Sequence, residues 1–267
     1  MCGEKDMPFV SKDNPLVVSV IKAIRTGDVP SLRRLLAGSS GLVTSRITGI
    51  DDEYNSRGES RTLLHVVTDW PGHFPNNVAI AAALIEAGAD VNARFTGPHS
   101  ETPLHWAASC DDIEVLDMLL DSGADIEAPG AVIAGGTPLD DAVAFAQWRA
   151  AHRLIERGAK FALWHAAALG LLDAMEAHFA GESLSQRYPW GAGHPSPPDE
   201  VTVAFWCACH GGQRHAAKYL LDRKAELNWI AVWDRLTPLD AAMRSNAADL
   251  AQWLRGLGAK SAQELVP

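Results

Sequence analysis

The chain has 267 residues and a formal net charge of −10, from 23 lysines and arginines against 33 aspartates and glutamates. This balance argues against broad binding to nucleic acids or anionic membranes, because contacts to phosphate groups need clustered lysine and arginine. Four cysteines are too few for a disulfide scaffold, and no run of about 18 apolar residues predicts a membrane span.

The first residues, Met1 to Asp6, have neither the charge nor the apolar stretch of a secretory signal peptide. Together with the small number of cysteines, this favours a reducing compartment. We therefore expect a cytoplasmic location.

A pattern of fixed length recurs along the chain. A Thr-Pro-Leu start, an apolar run and a glycine end lie 21 residues apart in three copies, Thr102 to Gly123, Thr137 to Gly158 and Thr237 to Gly258. One copy, from Thr62 to Gly88, is longer by five residues. A repeat of this length predicts one small helical unit stacked many times. We predict seven copies, with starts near Val18, Thr62, Thr102, Thr137, Phe161, Val203 and Thr237.

The start segments at residues 102–105, 137–140 and 237–240, and the end segment Gly-Ala-Asp-Val-Asn-Ala at residues 88–93, resemble those of ankyrin repeats. The resemblance covers about residues 15–261. It implies an all-α fold, an ankyrin-repeat solenoid of about seven helix-turn-helix units with short β-turn fingers, in a single domain over residues 1–267. It also implies that the motif histidines His65 and His105 hydrogen-bond backbone groups of neighbouring repeats.

The connections between copies depart from the pattern. Residues 40–60 form a Gly-, Ser- and Asp-rich connection, which we interpret as a flexible surface loop. The longer copy has an inserted loop at about residues 68–77, where two prolines and a glycine prevent a helix. Trp70 and Phe74 in this loop are too apolar for a merely solvated segment, so they either cap the edge of the stack or line a ligand cavity.

The second inserted loop covers about residues 183–202. It follows the unit that starts at Phe161, and that unit begins directly after Lys160, without room for a finger. Loops longer than about 12–15 residues in compact folds are usually functional or disordered. Because Tyr188 and Trp190 argue against disorder, we predict an ordered flap that carries Trp190.

The residues one position after the motif histidine form a predicted strip where each first helix turns toward the groove. The strip contains Trp106, Asp141, His165 and Cys207, a mixture that suits a cationic or polar aromatic ligand. The same types occur in thiol catalysis, with Asp141 orienting His165 as a base for Cys207. A cysteine at an alanine position is more often a small core residue, so we favour binding over catalysis.

Metal and cofactor sites are not expected. The two thiols of the segment Cys207-Ala208-Cys209-His210 point to different faces of a helix, and no second cysteine pair follows. No glycine-rich phosphate loop stands out. Polar first and last repeats are what a free-standing array requires, so we expect a monomer.

The resemblance implies a module that binds another protein through its concave groove and finger tips. Aromatic anchors surrounded by polar residues suit such an interface, and the predicted surface lies on three fingers and in the groove: Arg94, Phe95, His99, Glu101, Val132, Ile133, Trp229, Ile230, Trp233, Trp106 and Asp141. The alternative is a small-molecule binder or enzyme whose pocket is closed by the loops that carry Trp70 and Trp190.

Overall fold

The computed structural model describes residues 8–39, 41–49, 58–185 and 199–265. These residues contain seven consecutive helix pairs, which confirm the predicted all-α repeat fold. The helices are α1 (Pro15–Thr26), α2 (Val29–Ala37), α3 (Leu63–Val67), α4 (Asn77–Glu86), α5 (Pro103–Ser109), α6 (Ile113–Asp121), α7 (Pro138–Ala144), α8 (Trp148–Glu156), α9 (Leu163–Leu169), α10 (Leu172–Phe179), α11 (Glu200–His210), α12 (Arg214–Leu221), α13 (Pro238–Arg244), α14 (Ala248–Gly256) and the short α15 (Ala262–Leu265). No helix among the described residues is long and apolar enough to span a membrane.

The chain divides into two compact units, Met1–Leu154 and Ile155–Pro267, called here the N-terminal and C-terminal units. In the N-terminal unit α5 packs on α3, α6 and α7, and α4 packs on α2 and α6. In the C-terminal unit the long helix α11 packs on α9, α12 and α13. Leucine, valine and alanine fill the space between these helices in both units. The single domain over residues 1–267 stays a prediction.

The motif residues explain where the first helices begin. Thr102 is the N-cap residue of α5, and its backbone N–H donates to Nδ1 of His105 over 3.1 Å. Thr62 and His65 form the same capping box in α3, over 3.3 Å. In α13 the carboxylate of Asp240 replaces the imidazole and accepts the N-cap N–H. Each motif thus satisfies backbone groups that a helix start leaves without partners.

The second ring nitrogen of each motif histidine reaches the next repeat. Nε2 of His65 lies 3.2 Å from the carbonyl oxygen of Glu101, and Nε2 of His105 lies 3.4 Å from that of Gly136. The predicted structural role of both histidines is confirmed. Burial lowers the pKa of His65 to about 3 and that of His105 to about 4, so both imidazoles are neutral at pH 7.

Acid is therefore expected to destabilise the N-terminal unit through these imidazoles. The unfolded chain protonates both histidines below about pH 6.5, whereas the folded chain does not until about pH 4 or 3. Their contribution is present above pH 6.5 and is lost as the pH falls, by about 2 kcal/mol per histidine at pH 5.

A variant comparison isolates this effect from every other titrating group. Between pH 7 and pH 5, His105→Gln should lose about 2 kcal/mol less unfolding free energy than the wild type, measured by urea denaturation. The matched control is His152→Gln, since His152 is exposed. Equal losses in wild type and His105→Gln would contradict a neutral buried His105.

A three-stranded sheet replaces part of the loop predicted at residues 40–60. Strand β1 (Phe9–Ser11) pairs in parallel with β2 (Arg46–Thr48), which pairs antiparallel with β3 (Ser60–Arg61). Arg46 is buried and donates from Nε to Ser60 Oγ (2.7 Å) and from Nη2 to the carbonyl oxygen of Arg94 (2.7 Å). The interpretation as a flexible surface loop is wrong for the described part, because the polar residues are hydrogen-bonded inside the unit.

Candidate functional site

The N-terminal unit contains a cavity of about 560 Å³ beside α5. Its wall is formed by residues at β3, the loop after α3, the finger before α5, α5 itself and the end of α7. The lining residues are Glu59, Arg61, Thr68, Asp69, Trp70, Phe95, Pro98, His99, Glu101, Trp106, Ser109, Cys110 and Phe145.

Trp106 forms one wall and is held in place by its neighbours. Its indole Nε1 donates to Oε2 of Glu101 over 2.9 Å. The ring meets His65 nearly edge-on, with 4.9 Å between centroids, and Phe95 at 5.6 Å. The sequence-based prediction placed Trp106 in the groove, and the cavity contains it together with Phe95 and His99 of the preceding finger.

Glu101 is a buried carboxylate in the wall, with 4% of its surface exposed. Nδ1 of His99 lies 2.6 Å from the same Oε2 that accepts from Trp106. Burial alone would raise the pKa of Glu101, but the contacts with His99, Asp141 and Trp106 outweigh it and lower that pKa. The carboxylate therefore raises the pKa of His99 in turn. The result is an ionised acid at the cavity wall.

Asp141 lies behind this wall rather than on an exposed strip. It is fully buried, and Oδ1 accepts the N–H of Ile133 over 3.3 Å. Burial, followed by the charge of Glu101, raises the pKa of Asp141 far above its usual range. Among the described residues no hydrogen-bond donor reaches its Oδ2. Asp141 is therefore a buried, protonated acid, which corrects its predicted place on the groove surface.

Trp70 stands at the mouth of the cavity on the inserted loop between α3 and α4. Its side chain is 81% exposed, the largest exposed fraction of any large apolar residue described. Phe74 of the same loop is half-buried and does not line the cavity. Trp70 therefore forms part of an open rim.

The loop that carries Trp70 is fixed on the next repeat. Asp112, the N-cap residue of α6, accepts from the N–H of His73 (3.0 Å) and from Nδ2 of Asn77 (2.7 Å). Gly72 packs on Cys110 so closely that a Cβ on the glycine would lie 2.8 Å from the cysteine Cβ. These contacts explain why an irregular segment holds one position.

His165 and Cys207 do not form a groove surface in the C-terminal unit. His165 is fully buried, and its Nδ1 accepts the N–H of Ala162 over 2.9 Å, so it caps α9 as His105 caps α5. This corrects the predicted position of His165, because α9 starts after Ala162 and not after Phe161. Cys207 is 1% exposed, and burial raises the pKa of its thiol, which excludes a ready nucleophile.

The tryptophans of the last finger pack on a buried tryptophan of α11. Trp233 meets Trp206 edge-on at 5.0 Å between centroids, and Trp229 meets Trp233 at 5.2 Å. Nε1 of Trp206 donates to the carbonyl oxygen of Leu236 over 3.2 Å, the bond that the motif histidines make in the other unit. Trp229 and Trp233 are thus half-buried rather than free anchors. Trp190 lies outside the described residues.

Some cavity residues were missed by sequence reasoning. Phe145 is the C-cap residue of α7 and is 44% exposed, and the only signal for it in the sequence was an aromatic residue at the end of a first helix. Arg61 and Asp69 form an ion pair of 2.8 Å across the wall, but neither is a motif residue, although Arg61 directly precedes the repeat start Thr62. Only the fold brings them to Trp106.

Comparison with known proteins gives three matches. A family model for ankyrin repeats, in three copies, matches residues 20–130. The palmitoyltransferase AKR1 of Kluyveromyces lactis is 31% identical over 122 residues, 46% of this chain and 14% of that protein. An ankyrin repeat protein of fowlpox virus is 50% identical over 50 residues, 18% of this chain and 9% of that protein. The aligned segments thus span a small part of either relative.

These matches agree with the motifs and the helix pairs. The start motif caps the first helices, and its histidines join neighbouring repeats by hydrogen bonds. Ankyrin repeats are in general protein-interaction modules. The family model and the viral relative, together with the fold, show that the chain is an ankyrin-repeat protein.

Proposed function

We propose that the chain is a binding module that takes a segment of another protein in the cavity of the N-terminal unit. The segment would lie between the finger that carries Phe95 and the loop that carries Trp70. The observation that carries the proposal is Trp70, a tryptophan 81% exposed at the rim of an aromatic cavity. Exposed aromatic residues of this kind are enriched among interface hot spots.

The cavity is also preorganised, which lowers the cost of binding. Glu101 orients the indole of Trp106, and Asp112 holds the loop of Trp70 from the neighbouring repeat. A partner would therefore order few side chains of this protein when it binds.

A small molecule is the second candidate, since the cavity volume of about 560 Å³ lies within the usual range of ligand pockets. Such a pocket buries most of its ligand. Trp70, however, projects into solvent and does not cover the cavity. An open rim supports a macromolecular partner over an enclosed ligand.

Trp70→Ala is expected to weaken partner binding about 30-fold, which is about 2 kcal/mol for a hot-spot tryptophan. The measurement uses peptides selected from a random displayed library on the wild-type protein, with affinities from fluorescence anisotropy. Because the side chain is 81% exposed, the unfolding free energy should stay within about 0.5 kcal/mol of wild type.

Phe9→Ala is the matched control, because Phe9 is an aromatic residue of the same unit, 68% exposed and outside the cavity lining. It should leave the affinity of the selected peptides unchanged. The proposal fails if the library yields no peptide whose affinity depends on Trp70, or if both variants bind equally well.

A further inference from the structure

We infer that the segment bound in the N-terminal cavity anchors through a basic side chain, whose cationic group lies between the aromatic walls and the carboxylate of Glu101. This inference rests on the proposed function. It names the chemistry of the occupant, which the repeat fold leaves open.

The charges of the wall are the first argument. Three carboxylates line the cavity, against one arginine and one histidine: Glu59, Asp69, Glu101, Arg61 and His99. Asp69 already has arginine partners, since Arg61 lies 2.8 Å away and Arg25 lies 3.7 Å away. Glu101 has no arginine or lysine at ion-pair distance among the described residues, and the imidazole of His99 lies 2.6 Å from its Oε2.

The protonation of the acids in and behind the wall also favours a basic occupant. Asp141 retains a proton behind Glu101 because burial and the nearby carboxylate disfavour a second negative charge. Three carboxylates against one guanidinium and one imidazole leave an excess of negative charge on the wall where a partner group would sit. An anionic side chain would be repelled from it, and a positive one attracted.

The aromatic rings are the second argument. Four rings line the cavity, those of Trp70, Phe95, Trp106 and Phe145. Aromatic faces attract cations, and they also pack on the aliphatic stems of arginine and lysine. A purely apolar occupant would pack on the rings but would place no positive charge or hydrogen-bond donor beside the carboxylate of Glu101. A basic side chain can pack its aliphatic stem on the rings and place its positive charge beside the carboxylate of Glu101.

The test uses the peptides selected on the wild-type protein and depleted on Trp70→Ala. We expect a basic residue at one shared position. Changing an arginine there to citrulline, which has nearly the same shape without the charge, should weaken binding at least about 10-fold, whereas lysine, which keeps the charge but not the planar group, should weaken it less than citrulline does. These changes leave the protein intact, so they do not depend on the folding of a variant.

Glu101→Gln supplies the protein side of the experiment. The amide keeps an oxygen for the indole N–H of Trp106 but removes the charge. The variant should bind the arginine peptide at least about 10-fold more weakly and the citrulline peptide as the wild type does, because the two changes remove one interaction. Glu114→Gln, an exposed acid of α6 outside the cavity, controls for the overall negative charge and should change neither affinity.

The outcomes separate the two proposals. Peptides that depend on Trp70 but share no basic residue, or that bind equally well with citrulline, would overturn the basic anchor and leave the binding function in place. Equal losses in Glu101→Gln and Glu114→Gln would also overturn it, since the attraction would then be general. A library without any Trp70-dependent peptide would overturn the proposed function itself.

Discussion

Replacing Trp206 by alanine is expected to cost about 4 kcal/mol of unfolding free energy in the C-terminal unit, the largest effect of any single change proposed for this chain. Trp206 is 1% exposed, in the middle of α11. Its removal leaves a cavity beside Trp233 and removes one of the two hydrogen bonds that the carbonyl oxygen of Leu236 accepts, the other coming from the N–H of Ala231. Urea denaturation followed by circular dichroism measures the loss.

Two further variants divide this cost into its parts. Trp206→Phe keeps much of the ring and loses the hydrogen bond to Leu236, so it should cost about 1–2 kcal/mol. Trp229→Ala removes a half-buried member of the same cluster and should cost about 1 kcal/mol or less. The interpretation is wrong if Trp206→Ala is no more costly than Trp229→Ala.

Asp112→Ala is expected to destabilise the N-terminal unit by about 3 kcal/mol and to weaken peptide binding at the cavity as well. The carboxylate caps α6, and it also accepts the two hydrogen bonds that hold the loop of Trp70. Loss of the cap accounts for about 1 kcal/mol, and loss of the bonds to a buried charged group for the rest. Urea denaturation and peptide affinity are the two measurements.

Asp28→Ala is the control for the cap alone. Asp28 caps α2 in the same unit, accepts the N–H of Ser31 over 3.0 Å and is exposed. It should cost about 1 kcal/mol and leave peptide affinity unchanged. If Asp112→Ala binds peptides as well as Asp28→Ala does, the loop of Trp70 does not depend on Asp112 for its position.

The repeat architecture followed from the sequence because each motif position has a local physical reason. The threonine start, the capping side chain and the small residues between first helices recur at fixed spacing, and the described helices confirm them. The prediction that one strip in the groove contains Trp106, Asp141, His165 and Cys207 was less successful. Counting from the repeat start cannot show that α9 begins one residue later, nor that a long α11 buries its thiol.

The cavity could be predicted only in part. Phe95 and His99 were predicted on a binding surface, and Trp70 was predicted to cap the edge of the stack or to line a ligand cavity, since aromatic groups in loops and fingers are conspicuous in a sequence of alanine and leucine layers. The ion pair of Arg61 and Asp69 was not predicted, because neither residue belongs to a motif. The two residues flank the short helix α3, and the path of the inserted loop after that helix, which brings Asp69 back to Arg61, is not encoded in the repeat spacing.

The inserted loop of Trp70 also shows how a stacked protein can acquire a new specificity. The insertion lies inside one repeat and attaches to the next through Asp112 and the close contact of Gly72 with Cys110, while the helices around it keep their packing. The exposed Trp70 can thus serve recognition with little effect on stability, whereas Asp112 serves both. A loop of this kind could be transferred to another ankyrin stack that has an aspartate cap and a small side chain at those two positions. The preceding repeat would also need a glycine where Gly27 packs against Pro75 and accepts a hydrogen bond from Asn76 over 3.0 Å.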